Sequence, residues 1–333
     1  MTERIDFDDL VTLLAAIFRR GGCSDGVAAI LADNMAAAER DGSRSHGIFR
    51  VPGYLASLKS GWVDGRAEPV LESVAPGFLR VDGNNGFALP ALAAARDALM
   101  AKARTNGIAL LAIRNSHHFS ALWPDIEPFA RAGFVAIEMV NSMASVVPHG
   151  GHRKVYGTNP LGFAVPRGDA NPLVFDQASS AIANGDVQIA AREGHPLPPG
   201  YGVDRDGNPT TDPKAVLDGG ALLPFGGYKG SSIAMMMEVM AAALAGGKFS
   251  FEVDFSTHPG AATPHSAQTL ILIDPGRGNP HPFADRIETL IAELHEAGQP
   301  RLPGDRRYAN RRDAMASGIP LTEDELAGLR SLA

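Results

Sequence analysis

Ser45, His46 and Arg50 bring a hydroxyl, an imidazole and a guanidinium into the run Asp41-Gly42-Ser43-Arg44-Ser45-His46-Gly47-Ile48-Phe49-Arg50. Histidine gives or takes a proton near neutral pH, and a neighbouring serine can orient its ring. An arginine four residues later shares a face with the histidine if the segment is helical. Its guanidinium fork matches a carboxylate. An acid beside a carboxylate clamp is what a dehydrogenase or reductase of small 2-oxo or 2-imino acids needs. The competing reading is a helix start capped by Ser45, with His46 and Arg50 in solvent.

Further stretches carry reactive or ligand-binding residue types. Asn115-Ser116-His117-His118-Phe119 follows a buried strand, where residues commonly face a ligand crevice. Gly157-Thr158-Asn159-Pro160-Leu161-Gly162 reads as a turn with exposed amides, or as a plain loop. Phe175-Asp176-Gln177-Ala178 leaves a strand and is followed by Asp186, a carboxylate that could hold a histidine protonated or complement a helix N-terminus. Pro224-Phe225-Gly226-Gly227-Tyr228-Lys229 enters a helix, and a glycine-rich turn with lysine there suits a phosphate. Arg301, Arg306 and Arg307 surround Pro303-Gly304 and suit a 2′-phosphate, or are solvated surface. The pairs His117-His118 and His149-x-x-His152 invite a metal reading. No Asp or Glu completes either set in the sequence and neither has the spacing of a hydrolytic zinc helix, so no metal is expected.

The elements that position these residues alternate between helix and strand. Phe7, Leu10, Val11, Leu14 and Phe18 repeat at helical spacing, and Ser24 caps a second helix to about Ala38. A third helix is expected from His46 to about Leu58, stopped by Gly61. Strands are expected at 78–81, 108–113, 134–140, 162–165, 173–175 and 270–273. Helices are expected at 90–105, 231–245 (buried) and 283–296. Residues 194–213, dense in Pro, Gly and Asp, read as a surface excursion. The class is therefore α/β or mixed α+β. No Gly-x-Gly-x-x-Gly follows any of these strands, since Gly276-x-Gly278 meets His281 where a third glycine belongs, so a dinucleotide would bind without the usual fingerprint.

Composition bounds the remaining choices. The chain has 333 residues, 45% hydrophobic and 20% charged, enough for two domains or one large one. A net charge of −7 argues against nucleic-acid or anionic-membrane partners. Cys23 stands alone, so no intrachain disulfide forms, and it reads as a small buried hydrophobe. The amphipathic N-terminal stretch does not look like a signal peptide, and the apolar run 233–245 is too short to span a bilayer. A cytoplasmic location is expected.

Taken in order, these stretches resemble the type-2 malate/L-lactate dehydrogenase family: Ser45-His46-Gly47 with Arg50 and Tyr54, His118-Phe119, Gly157-Thr158-Asn159-Pro160, Asp176, Asp186, Gly226-Gly227-Tyr228-Lys229-Gly230 and Pro303-Gly304. Within it the chain is most similar to the Δ1-piperideine-2-carboxylate/Δ1-pyrroline-2-carboxylate reductases, through residues 45–65, 116–125, 186–194 and 222–230. The resemblance implies a non-Rossmann fold, with a cofactor domain (116–279) inserted in a discontinuous catalytic and dimerisation domain (1–115 and 280–333), and a homodimer. It implies NADPH, with NADH as the alternative, and reduction of a cyclic imino acid to L-pipecolate or L-proline. It casts His46 as proton donor, Ser45 and Asp186 as its relay, Arg50 as carboxylate anchor and Thr158 as a second substrate contact. It assigns the cofactor to His118, Phe119, Ser120, Ala121 and Leu122, to Asp176, Gln177 and Ala178, to Tyr228 and Lys229, and to Arg301, Leu302, Pro303, Gly304, Asp305, Arg306 and Arg307. The chain departs from the family at Arg44 and Tyr228, both often histidine. A 2-oxo acid reductase of the malate, lactate, sulfolactate or ureidoglycolate type would use the same residues, and a protein that binds ligand without catalysis is the remaining reading.

Overall fold

The structure, a computed structural model, describes residues 2–278 and 280–333. Strand β1 (Thr2–Ile5) leads into helices α1 (Phe7–Arg20) and α2 (Asp25–Arg40). Two short 3-10 turns, Arg44–His46 and Ile48–Arg50, precede α3 (Val51–Lys59). The hairpin β2 (Val70–Ala75) and β3 (Phe78–Phe87) is followed by α4 (Ala88–Asn106) and β4 (Ile108–His117). Next come α5 (Trp123–Arg131), β5 (Val135–Val140), β6 (Leu161–Val165) and β7 (Leu173–Gln177). A small lobe holds α6 (Asn184–Glu193), β8 (Gly202–Val203), β9 (Pro209–Thr210), α7 (Pro213–Leu217) and β10 (Ala221–Leu222). Helix α8 (Tyr228–Met237) runs on as a π-helical stretch, Glu238–Ala243, ahead of β11 (His265–Ile273). The chain closes with α9 (Phe283–Glu296), α10 (Asp305–Ser317), β12 (Ile319–Thr322) and α11 (Glu323–Leu332).

One seven-stranded sheet, ordered β2-β3-β4-β11-β5-β6-β7, organises the molecule. Only β3 and β4 run parallel, joined by α4. Alanines at 91, 95 and 103 let that helix lie close on the strands, beside Leu111 and Ile113. Ala112 faces the other way, against Ala245 and Ala267, so β4 is covered on both faces as its unbroken apolar run requires. The apolar stripe of α1 packs with α2, α3 and α11 through Leu14, Phe18, Leu31, Tyr54 and Leu326. The expected helix at 283–296 is found with those bounds, and Ser24 caps α2 by accepting from Val27 N.

Other expectations change in the structure. The helix expected over 46–58 is broken at Gly47, whose ψ of −142° lies outside helical values, and it resumes only at Val51. Strands expected at 78–81 and 108–113 continue to 87 and 117. Irregular pairing next to Asn84, Asn85 and Asn115, all at positive φ, disguises their polar ends. Helix α8 is buried on one face only, with Met235 and Val239 more than half exposed. The polar sequence of α10 carries no apolar stripe, so the helix was not expected. As for domains, residues 115 and 116 both lie within β4, and the sheet runs across that proposed boundary; the other boundary ends at Asn279, outside the described residues. No described helix is long and apolar enough to cross a membrane.

Candidate active site

A cavity of about 520 Å³ gathers residues from stretches far apart in the sequence. Ser45, His46 and Arg50 enter from the 3-10 turns, His118 to Trp123 from the end of β4 and the start of α5, and Asn141, Ser142, Met143, Thr158 and Pro160 from the far end of β5 and the turn before β6. Asp176, Gln177 and Ala178 come from the end of β7, Asp186 from the first turn of α6, and Arg306 and Arg307 from the first turn of α10.

The break at Gly47 explains how His46 reaches the cavity. Glu39, near the end of α2, accepts a hydrogen bond from Ile48 N at 2.9 Å and lies against Gly47, where any β-carbon would collide with its carboxylate. Burial pushes the Glu39 carboxyl up to about 7. The backbone turn carries Ser45 Oγ to 3.2 Å from His46 Nδ1. Burial holds the His46 imidazole down at about 3, with Arg50 and then His118 opposing its charge as well. The sequence reading expected Asp186 to hold His46 protonated. Instead Asp186 is exposed, its side chain makes no hydrogen bond among the described residues, and its charge acts on Arg50.

Arg50 is buried, with 7% of its surface exposed, and no carboxylate is hydrogen-bonded to it among the described residues. One contact, 3.3 Å to Gln188 Oε1, engages the guanidinium, and its Nε has no partner. The group stacks 4.2 Å above Phe119. Gly185 permits this, since a side chain there would strike Arg50 and Ser45. Burial lowers the Arg50 pKa to about 10, with Tyr54 and Asp186 pulling the other way. A buried cation in this state is a strong acceptor site for an anion.

The neighbouring segments are fixed to one another. Asp176 accepts from Leu122 N at 2.7 Å and Trp123 N at 3.3 Å, capping α5; burial raises its pKa despite these bonds. Arg307 donates to Val174 O at 2.7 Å and stacks on Trp123, whereas Arg306 is exposed with no side-chain partner among the described residues. Thr158 O accepts from Ser179 N, and Asn159 at φ 37° is tied to Glu238 at 2.8 Å, which anchors the turn to the helix behind it. Ser120 bonds Asn34.

The cavity omits Tyr228, Lys229, Arg301, Leu302, Pro303, Gly304 and Asp305. Tyr228 is exposed beside His149, near a separate cleft of about 750 Å³ lined by Gly226 and Gly227. Leu302 is buried and its N–H is capped by Asp305, so this turn starts α10 and supports Arg306 and Arg307 from behind. The sequence reading also missed Glu39, Asn141 and Ser142. The last two sit at a strand end, a signal that could have found them. Contrary to expectation, carboxylates do gather at one histidine: the ligand atoms of His118, Asp125 and Glu138 lie within 4.8 Å of one another.

A family model described as malate/L-lactate dehydrogenase matches residues 5–330. The chain belongs to the malate/L-lactate dehydrogenase family. It is 60% identical over 332 residues to the Δ(1)-pyrroline-2-carboxylate/Δ(1)-piperideine-2-carboxylate reductase of Pseudomonas syringae pv. tomato, covering 100% of this chain and 97% of that one. The reductase of the same name from Pseudomonas putida is 58% identical, over 99% of this chain and 96% of its own. The crystal structure of the P. syringae Δ1-piperideine-2-carboxylate reductase superposes with a TM-score of 0.98 over 99% of this chain and 100% of that chain, at 60% identity. The mixed sheet, without a Rossmann fingerprint, is this family's fold.

Proposed function

We propose that this protein is an oxidoreductase that reduces Δ1-piperideine-2-carboxylate and Δ1-pyrroline-2-carboxylate to L-pipecolate and L-proline with NADPH. The observation that carries this reading is Arg50, a buried guanidinium with no hydrogen-bonded carboxylate among the described residues, beside an imidazole in the same cavity. The high identity to cyclic-imine reductases favours this substrate class over 2-oxo acids.

The reduced nicotinamide, when bound, supplies the hydride for the imine carbon. The protein positions the substrate. Arg50 holds the carboxylate through its fork, Thr158 offers a second contact, and His46 faces the nitrogen with Ser45 on its other side. The substrate carboxylate offsets the Arg50 charge, one cause of the low His46 basicity, so His46 becomes a better proton holder once substrate is seated. Asp186, on the cavity wall, acts on the Arg50 guanidinium rather than directly on His46. Arg306, exposed and without a side-chain partner among the described residues, fits a phosphate and supports NADPH over NADH. The exposed apolar stripe Met235, Met236, Val239 and Leu244 on one helix supports a homodimer. Loss of reduced-nicotinamide absorbance with each imine, against pyruvate and oxaloacetate, tests the proposal. Rates with a 2-oxo acid exceeding those with both imines would refute it.

A further inference from the structure

Beneath the cavity wall lies a buried acidic group that the mechanism above does not use. His118 faces the cavity, and its Nε2 is 2.9 Å from Asp125 Oδ2. Asp125, in the first turn of α5, is 2% exposed and has no arginine or lysine partner among the described residues. Glu138, on β5, is fully buried. Its Oε1 accepts from Gln268 Nε2, while its Oε2 has no partner, and neither has Gln268 Oε1. Replacing such groups with apolar side chains usually costs a fold nothing, so stability alone does not account for them.

We propose that Asp125 and Glu138, acting through His118, are positioning residues that make this cavity prefer a ligand with a cationic ring nitrogen over a neutral one of the same shape. The proposal rests on the cyclic-imine reading above. Burial and the Asp125 charge both raise the Glu138 pKa far above the usual carboxylate range, so Glu138 carries a proton. The Asp125 carboxylate takes the hydrogen bond of His118 Nε2–H. That leaves Nδ1 as the ring nitrogen available to the cavity. The trio then presents one buried negative charge and one acceptor behind the wall that His118 and His46 share. A protonated imine, or the ammonium of the product, donates a hydrogen bond to that acceptor and is attracted by the charge. A 2-oxo acid, or an ether of the same ring size, has neither a donor nor a positive charge. At about 6–8 Å in a medium of effective dielectric near 20, the attraction is worth roughly 10- to 100-fold in affinity. A metal ion among these residues is a poor alternative, because the direct Asp125 contact occupies the His118 nitrogen that an ion would need.

The test compares L-proline with tetrahydrofuran-2-carboxylate, whose ring oxygen stays neutral, by calorimetry on the enzyme saturated with NADP⁺. The wild type should bind L-proline at least tenfold more tightly. Asp125→Asn, which removes the charge, should shrink that ratio while leaving the affinity for the ether within about threefold, and Glu138→Gln, which keeps that position neutral, should preserve the ratio. Equal binding of the two ligands by the wild type overturns the proposal, even if a variant fails to fold. Equal weakening of both ligands in the variants, or stoichiometric metal in the purified protein, overturns it as well. If the wild type reduces neither imine, the functional reading itself fails, which is a separate result.

Discussion

Replacing Arg50 with methionine removes a buried charge that, among the described residues, has no carboxylate hydrogen-bonded to it. The displacement of its pKa from 12.5 to about 10 corresponds to about 3 kcal/mol of cost at neutral pH. The stack on Phe119 at 4.2 Å returns about 1–2 kcal/mol of that. Arg50→Met should therefore leave the free protein as stable as the wild type, or more stable by about 1–2 kcal/mol. Substrate binding should move the other way. Removing the buried partner of a carboxylate costs about 2–5 kcal/mol, a rise in KM of at least about 30-fold. Arg50→Lys keeps the charge and loses the fork, so its KM should rise less, about tenfold or somewhat more. Urea denaturation and initial rates on the same preparations measure both quantities. A variant with unchanged KM, or one that loses several kcal/mol of stability, would refute the claim that Arg50 awaits a carboxylate.

Gly47→Ala should dislodge Glu39 from Ile48 N and lower kcat about tenfold or more with the helices retained, as kinetics and circular dichroism would show. The imidazoles of His117 and His265 are held at about 3 and about 4 by burial, against 6.5 when unfolded. Between those values the unfolded chain binds more protons, so stability should fall as pH drops from about 6.5 towards 4. Denaturation midpoints at a series of pH values, with His117→Asn flattening the slope, check this. Arg306→Ala should lower kcat/KM for NADPH about tenfold and leave NADH unchanged. An equal loss with both cofactors would place Arg306 away from the 2′-phosphate.

Much of the site was legible because its residues are adjacent in sequence. Ser45, His46 and Arg50 do line one cavity, but the helical-face argument that joined them fails, because the backbone breaks at Gly47. The reason lies in Glu39, whose contact with Ile48 no local pattern reveals. Tyr228 and Lys229 looked as suitable as Arg306, and only the tertiary arrangement separates them. Glu138 was unreadable for the opposite reason: a lone acid in an apolar strand looks like a surface position until the sheet is covered on both sides. The strands were found where apolar runs were continuous and were cut short where asparagines at positive φ bent their ends.

The place of β11 in the sheet has a consequence for how the chain assembles. It lies between β4 and β5, pairing His265–Ile273 with residues well over a hundred positions earlier. Until β11 is made, β4 and β5 have no common partner, and their inner edges stay open to other chains. During synthesis more than four-fifths of the chain must emerge before the sheet can close. Arg306 and Arg307 arrive later still. Pairing at such separations carries a large loop-closure cost ahead of any reward, so refolding should be slow and should yield less as protein concentration rises. The Ser45-His46 turn is made early, but the cavity is completed only when the last tenth of the chain docks.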